Sequence, residues 1–175
     1  MRYVLRDRVL SFEGGKSLLK IKSLFSTSQK RILFMNDELA AKTIIRSKEC
    51  ETANSSDVRA HAYVMLDAQG MEMAVGSPDY AEGEDPIVAG WPICRMPRVD
   101  HASIDLGEKI CLLKMLNNRN YQLLDDKGQI VVQIVHKGLI GGWDIDASDC
   151  LSPTFLCALF AFCRYIEKEN ELLVV

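Results

Sequence analysis

The sequence predicts a mainly β domain that closes on one helix buried on every side. Three observations carry this: an apolar stretch near the C-terminus with no polar stripe, a series of short alternating segments before it, and turn signals between those segments. The stretch runs from Ser152 to Glu169. Ser152 suits an N-cap and Pro153 the first helical position, where its missing N–H costs nothing. Phe155, Leu156, Cys157, Leu159, Phe160, Phe162 and Cys163 then leave no wet face, so the helix must be enclosed by protein or lipid. The run from Phe155 to Cys163 is far shorter than the roughly 20 residues a bilayer requires, which favours enclosure by the rest of the chain over a membrane anchor. Arg164, Glu167, Lys168 and Glu169 suit an end that emerges into water.

Upstream, Ser17–Phe25 places Leu19, Ile21 and Phe25 on one side and Lys20 and Lys22 on the other. Met71–Val75 and Gln129–Val135 alternate in the same way. Shorter apolar runs at Tyr3–Leu5, Arg31–Met35, Lys42–Ile45, Ala62–Leu66, Ile87–Trp91, Lys109–Met115 and Tyr121–Leu124 read as further strands. Gly14-Gly15, Asn36-Asp37, Asn117-Asn118 and Gly141-Gly142 punctuate them. Many short strands at this spacing predict a sandwich or a barrel. An internal echo supports a repeated hairpin: Tyr63-Val-Met-Leu-Asp67-Ala-Gln-Gly70 and Tyr121-Gln-Leu-Leu-Asp125-Asp-Lys-Gly128 both read Y-x-x-L-D-x-x-G. In each, Asp caps a turn and Gly takes its left-handed position. Glu49–Asp57 and the acidic Ser77–Pro86 read as exposed loops inside a single domain spanning residues 1–175.

The composition is that of a soluble globular protein, 48% hydrophobic and 26% charged, and the net charge of −3 argues against nucleic acid as a partner. Charge is unevenly spread: residues 1–50 hold eleven Lys/Arg against five Asp/Glu, and the remainder holds ten against nineteen. The alternating start MRYVLRDRVL has no apolar core of a signal peptide, so a cytoplasmic location is the default expectation, with no transmembrane segment. The six cysteines include no C-x-x-C pair, which makes disulfides and structural zinc improbable.

The order of elements resembles the tubby C-terminal-like architecture and, within it, the LURP-one-related proteins. The opening YVLRDRVLSFEGGKSLLKIK, with Phe12, Gly14, Gly15 and Lys16 at its turn, resembles that group's first hairpin. The two Y-x-x-L-D-x-x-G units resemble its repeated hairpins, and GGWDIDASD at Gly141–Asp149 resembles its approach to the helix. The resemblance implies a closed antiparallel β-barrel of about twelve strands around a central hydrophobic C-terminal helix. It also implies kinship with phosphoinositide-binding tubby proteins and with the phospholipid scramblases, which interact with lipid and calcium. A shared fold does not by itself transfer function.

Two candidate sites follow. Lys16, Lys20, Lys22, Lys30 and Arg31 lie on the first two hairpins and would form a salt-sensitive anion site if they converged. Asp144, Asp146 and Asp149 offer hard oxygen ligands for calcium, although the EF-hand Gly and Glu are missing. Nothing places His61, His101 or His136 beside a cysteine, and no P-loop or G-x-G-x-x-G is present. The expectation is a non-enzymatic, cofactor-free binding or regulatory module for an anionic lipid head group or a protein partner. The alternatives are a protein-docking scaffold and an enzyme with a polar cleft.

Overall fold

The computed structural model of the chain describes residues 1–23, 28–48, 58–90, 97–117 and 119–171. Phe25, the Glu49–Asp57 segment, Cys50, Trp91, Cys94 and the Leu172–Val175 tail lie outside the described residues.

Twelve strands follow one another around the barrel: β1 (Arg2–Arg6), β2 (Val9–Phe12), β3 (Ser17–Ser23), β4 (Gln29–Phe34), β5 (Leu39–Ser47), β6 (His61–Asp67), β7 (Glu72–Tyr80), β8 (Val99–Asp105), β9 (Ile110–Asn117), β10 (Asn120–Leu124), β11 (Ile130–His136) and β12 (Trp143–Ala147). Each pairs antiparallel with its sequence neighbours. β1 also pairs β12, with Tyr3 opposite both Ile145 and Phe12, which closes the sheet and leaves no edge. Side chains alternate as the pleat requires: Leu19, Ile21, Ile32, Tyr63, Ile104, Leu113, Tyr121 and Ile134 point inward and are buried.

Into this wall runs α2 (Pro153–Glu171), about 28 Å long at the standard rise. Ser152 caps it as its sequence predicts, its Oγ accepting the Phe155 N–H at 3.2 Å. Every residue from Phe155 to Cys163 is buried, as are Tyr165 and Ile166. The barrel therefore encloses the helix, as expected from its lack of a polar face. Wall and helix fit closely at Gly76, where a Cβ would stand 3.4 Å from Phe162 and 3.1 Å from Ile104. Polar contacts fix the C-terminal half. The Tyr165 hydroxyl and Thr43 Oγ1 share a buried hydrogen bond of 2.8 Å. Asn170 accepts from the Val99 N–H and donates to its carbonyl, standing in for a missing strand partner. Glu169 receives the Tyr63 hydroxyl and lies 2.8 Å from His61 Nε2.

The repeated hairpins are present at β6–β7 and β10–β11. Asp67 Oδ1 accepts from the N–H groups of Gln69 and Met71, and Asp125 Oδ1 from those of Lys127 and Gln129. Gly70 and Gly128 take positive φ, 91° and 75°. Two expectations are corrected. The Ile87–Trp91 run is not a strand where it is described: Pro86–Ala89 forms one helical turn, α1, because Asp85 caps it, Pro86 opens it and Gly90 ends it in the left-handed region. Ser77–Pro86 is not wholly a loop, since β7 continues to Tyr80 and pairs Pro78 with Ala102.

Burial pushes the Tyr165 phenol and the Cys157 thiol up to about 12, and raises Tyr63, Tyr121 and Cys163 as well. All these groups are neutral in the fold and ionise more readily once exposed. Stability should therefore hold below about pH 9 and fall as pH rises toward 12, which thermal melts across that range will show. Tyr121 adds a second prediction. Its hydroxyl is buried without a hydrogen-bond partner among the described residues, so Tyr121→Phe removes a desolvated group and no bond. The variant should melt at or above the wild-type temperature, within about 1 kcal/mol.

Candidate anion-binding cleft

The alternating strand directions give the barrel two distinct ends. The β12–α2 connection, the Gly14-Gly15 turn and the two Asp-x-x-Gly hairpins lie at one. The β1–β2, β3–β4, β7–β8 and β11–β12 connections lie at the other, where α2 finishes. At this second end, which the described residues leave open, is a cleft of about 640 Å³. Its walls draw on both termini of the chain: Arg6, Asp7 and Arg8 from the first hairpin, Ser23 and Lys30 from β3 and β4, Gly141 to Trp143 from the last hairpin, and Phe160, Ala161, Arg164, Tyr165, Lys168 and Glu171 from α2. The helical residues belong together because 160, 164, 168 and 171 recur on one face.

Local geometry presents the cations. Asp7 and Arg8 both have positive φ, 50° and 67°, the signature of a type I′ hairpin turn. Glycine or asparagine would take this shape more easily than arginine, so Arg8 is held there at some cost in backbone strain. Gly142 is required for closeness: at its φ of 86° a Cβ would lie 2.8 Å from the Leu5 carbonyl oxygen of β1. Trp143 packs edge-on against Phe160, with centroids 4.8 Å apart, and donates its indole N–H to the Arg119 carbonyl at 3.1 Å.

Five cations (Arg6, Arg8, Lys30, Arg164 and Lys168) and two carboxylates (Asp7 and Glu171) face the cleft. Among the described residues Arg6, Arg8 and Lys168 make no salt bridge, while Arg164 is paired with Glu167. The Lys30 ammonium is held below its usual range by burial and then by the neighbouring cations Lys168, Arg8 and Arg164. The C-terminal carbonyls of α2 contribute about −0.5 charge, too little to offset this excess. Among the described residues the charges that line the cleft therefore sum to a positive excess, which favours an anion.

The candidates from the sequence divide among three places. Lys30 is opposite Ser23 and shares its inward parity, so it lines the cleft. Lys20 and Lys22 point outward from β3, with Arg31 opposite Lys22 and Lys42 opposite Arg31 in one row on the outer wall. Lys22 and Lys20 both reach Asp37 Oδ1 at 2.9 Å, and these hydrogen bonds lower its carboxyl to about 2. Lys16 stands at the opposite end, beside the Gly14-Gly15 turn. The five do not form one site, because adjacent residues of a strand face opposite sides of the sheet. Arg6, Arg8, Arg164 and Lys168 were missed. The R-D-R between two strands and the i,i+4 pair near the helix end were the signals available.

The structure does not assemble the three aspartates. Asp144 pairs with Lys137 at 2.8 Å, Asp146 with Arg2 at 3.1 Å, and Asp149 with the N-terminal ammonium at 2.9 Å. No group of three or more His, Cys, Asp or Glu able to hold a metal occurs among the described residues. The histidines have other neighbours: His61 lies against Glu169, His101 against Asp100 and His136 edge-on to Trp143. Among the described residues no helix is long and apolar enough to cross a membrane.

The fold and the cleft together define a closed antiparallel barrel with an enclosed helix and a cationic opening at one end. No protein-family model, curated protein or solved structure matches the chain.

Proposed function

We propose that this protein is a non-enzymatic binding module that holds an anionic phospholipid head group, such as a phosphoinositide, in the open-end cleft. The observation that carries this reading is the excess of cations there, three of which make no salt bridge among the described residues. Phosphate is the anion such a cluster suits, since several guanidinium and ammonium donors can share its oxygens. The rim supports a membrane setting. Leu139, Ile87 and Val88 are the most exposed large hydrophobic residues described, and all lie in connections at this end. The resemblance to the tubby C-terminal-like architecture, whose tubby members bind phosphoinositides, is in keeping with this reading.

The test is calorimetric titration with soluble inositol trisphosphate at low and physiological salt. Wild type should bind and weaken with salt, and Arg8→Glu and Lys30→Glu should each lose at least about tenfold in affinity. Lys20→Glu/Lys22→Glu should bind as wild type does. Absence of binding, or a loss confined to the outer-wall variant, contradicts the assignment.

A further inference from the structure

We infer that the cleft is built for an anionic amphiphile, taking a phosphate at its cationic rim and the first part of an alkyl or acyl chain on its floor. This inference rests on the anion-binding reading of the same cleft and extends it from a charge to a ligand class.

The floor is the observation that carries it. Below the cations lie Ile21, Trp143, Phe160, Ala161 and Tyr165. Ile21, Phe160, Ala161 and Tyr165 belong to the buried interior of the barrel, and Trp143 is packed against Phe160. A site evolved for a bare phosphate or a sugar phosphate would be lined by donors throughout, because buried polar groups need partners. Here the donors are confined to the rim. A volume of about 640 Å³ is much larger than a single phosphate needs and falls in the range of ordinary small-molecule pockets. The Tyr165 hydroxyl leaves the floor apolar, since it is directed to Thr43 and to the Ser28 carbonyl. Charge selects the head, and the area removed from water selects the tail.

A chain-length series separates the two contributions. Inorganic phosphate, ethyl, butyl, hexyl and octyl phosphate are titrated into the wild-type protein below their micellar concentrations, with hexanol as the uncharged control. Affinity should rise about fourfold per methylene until the floor is covered, then level off. Trp143→Ala should flatten this slope to less than about twofold per methylene, with melting temperatures confirming that the variant is folded. Equal affinity for all the phosphates overturns the amphiphile inference and leaves the head-group reading standing. Hexanol binding as tightly as hexyl phosphate contradicts the head-group reading instead. Binding of none of the phosphates rejects both.

Discussion

Replacement of Leu159 by Asp unfolds the protein. Leu159 sits about a third of the way along α2 with no solvent exposure, inside a wall of twelve strands. Among the described residues no cation is buried in the core to pair with a carboxylate there, and its burial costs on the order of 5 kcal/mol or more, whether it remains charged or takes up a proton. Domains of this kind have about 5–15 kcal/mol in total, so the change consumes most or all of it. Circular dichroism should show loss of the cooperative melt at neutral pH. Leu139→Asp supplies the contrast: the same chemical change at a fully exposed site should shift stability by about 0.5 kcal/mol or less. A folded Leu159→Asp with an unchanged melt would mean that the helix is not enclosed.

Gly142→Ala has the second largest expected effect, and it couples fold to site. The added Cβ meets the Leu5 carbonyl oxygen at 2.8 Å, a backbone atom that cannot rotate away. It also places a side chain at a φ of 86°. Together these cost about 2–4 kcal/mol, or roughly 5–15 °C in melting temperature. The contact lies next to the β1–β12 seam that closes the barrel and carries Arg6 and Trp143 into the cleft. Affinity for a soluble phosphate should therefore fall together with stability. Gly141→Ala is the control. Its φ of 73° is strained for alanine, but nothing lies within 4 Å of the added carbon, so its loss should be smaller. Equal effects at the two positions would remove the steric argument.

The parts of this architecture that were legible in the sequence are those set by local chemistry. The helix announced itself through Phe155–Cys163 and the Ser152-Pro153 start, and the two Asp-x-x-Gly hairpins through their turn residues. Ile87 and Val88 read as part of an apolar strand in the sequence, but Asp85, Pro86 and Gly90 make Pro86–Ala89 a capped helical turn. The cleft was mostly illegible for a different reason. It joins Arg6 and Arg8 to Arg164 and Lys168 from the far end of the chain, and only barrel closure brings them together. Lys30 was grouped with Lys20 and Lys22 because all three lie on one pair of strands. The pleat assigns Lys30 to the inside and the others to the outside. The aspartates of Gly141–Asp149 looked like a metal site because their pairing with Arg2, Lys137 and the N-terminus depends on the same closure.

The central claim is that anions bind where the helix emerges, inside the open end of the barrel. Amide chemical-shift mapping with soluble inositol trisphosphate tests it most directly, because it reports position as well as affinity. The account predicts saturable shifts at Arg6 to Arg8, Lys30, Gly141 to Trp143 and Arg164 to Lys168, with Lys20, Lys22 and Lys42 unmoved. Shifts confined to the outer-wall row, or no saturable shifts at all, would contradict it.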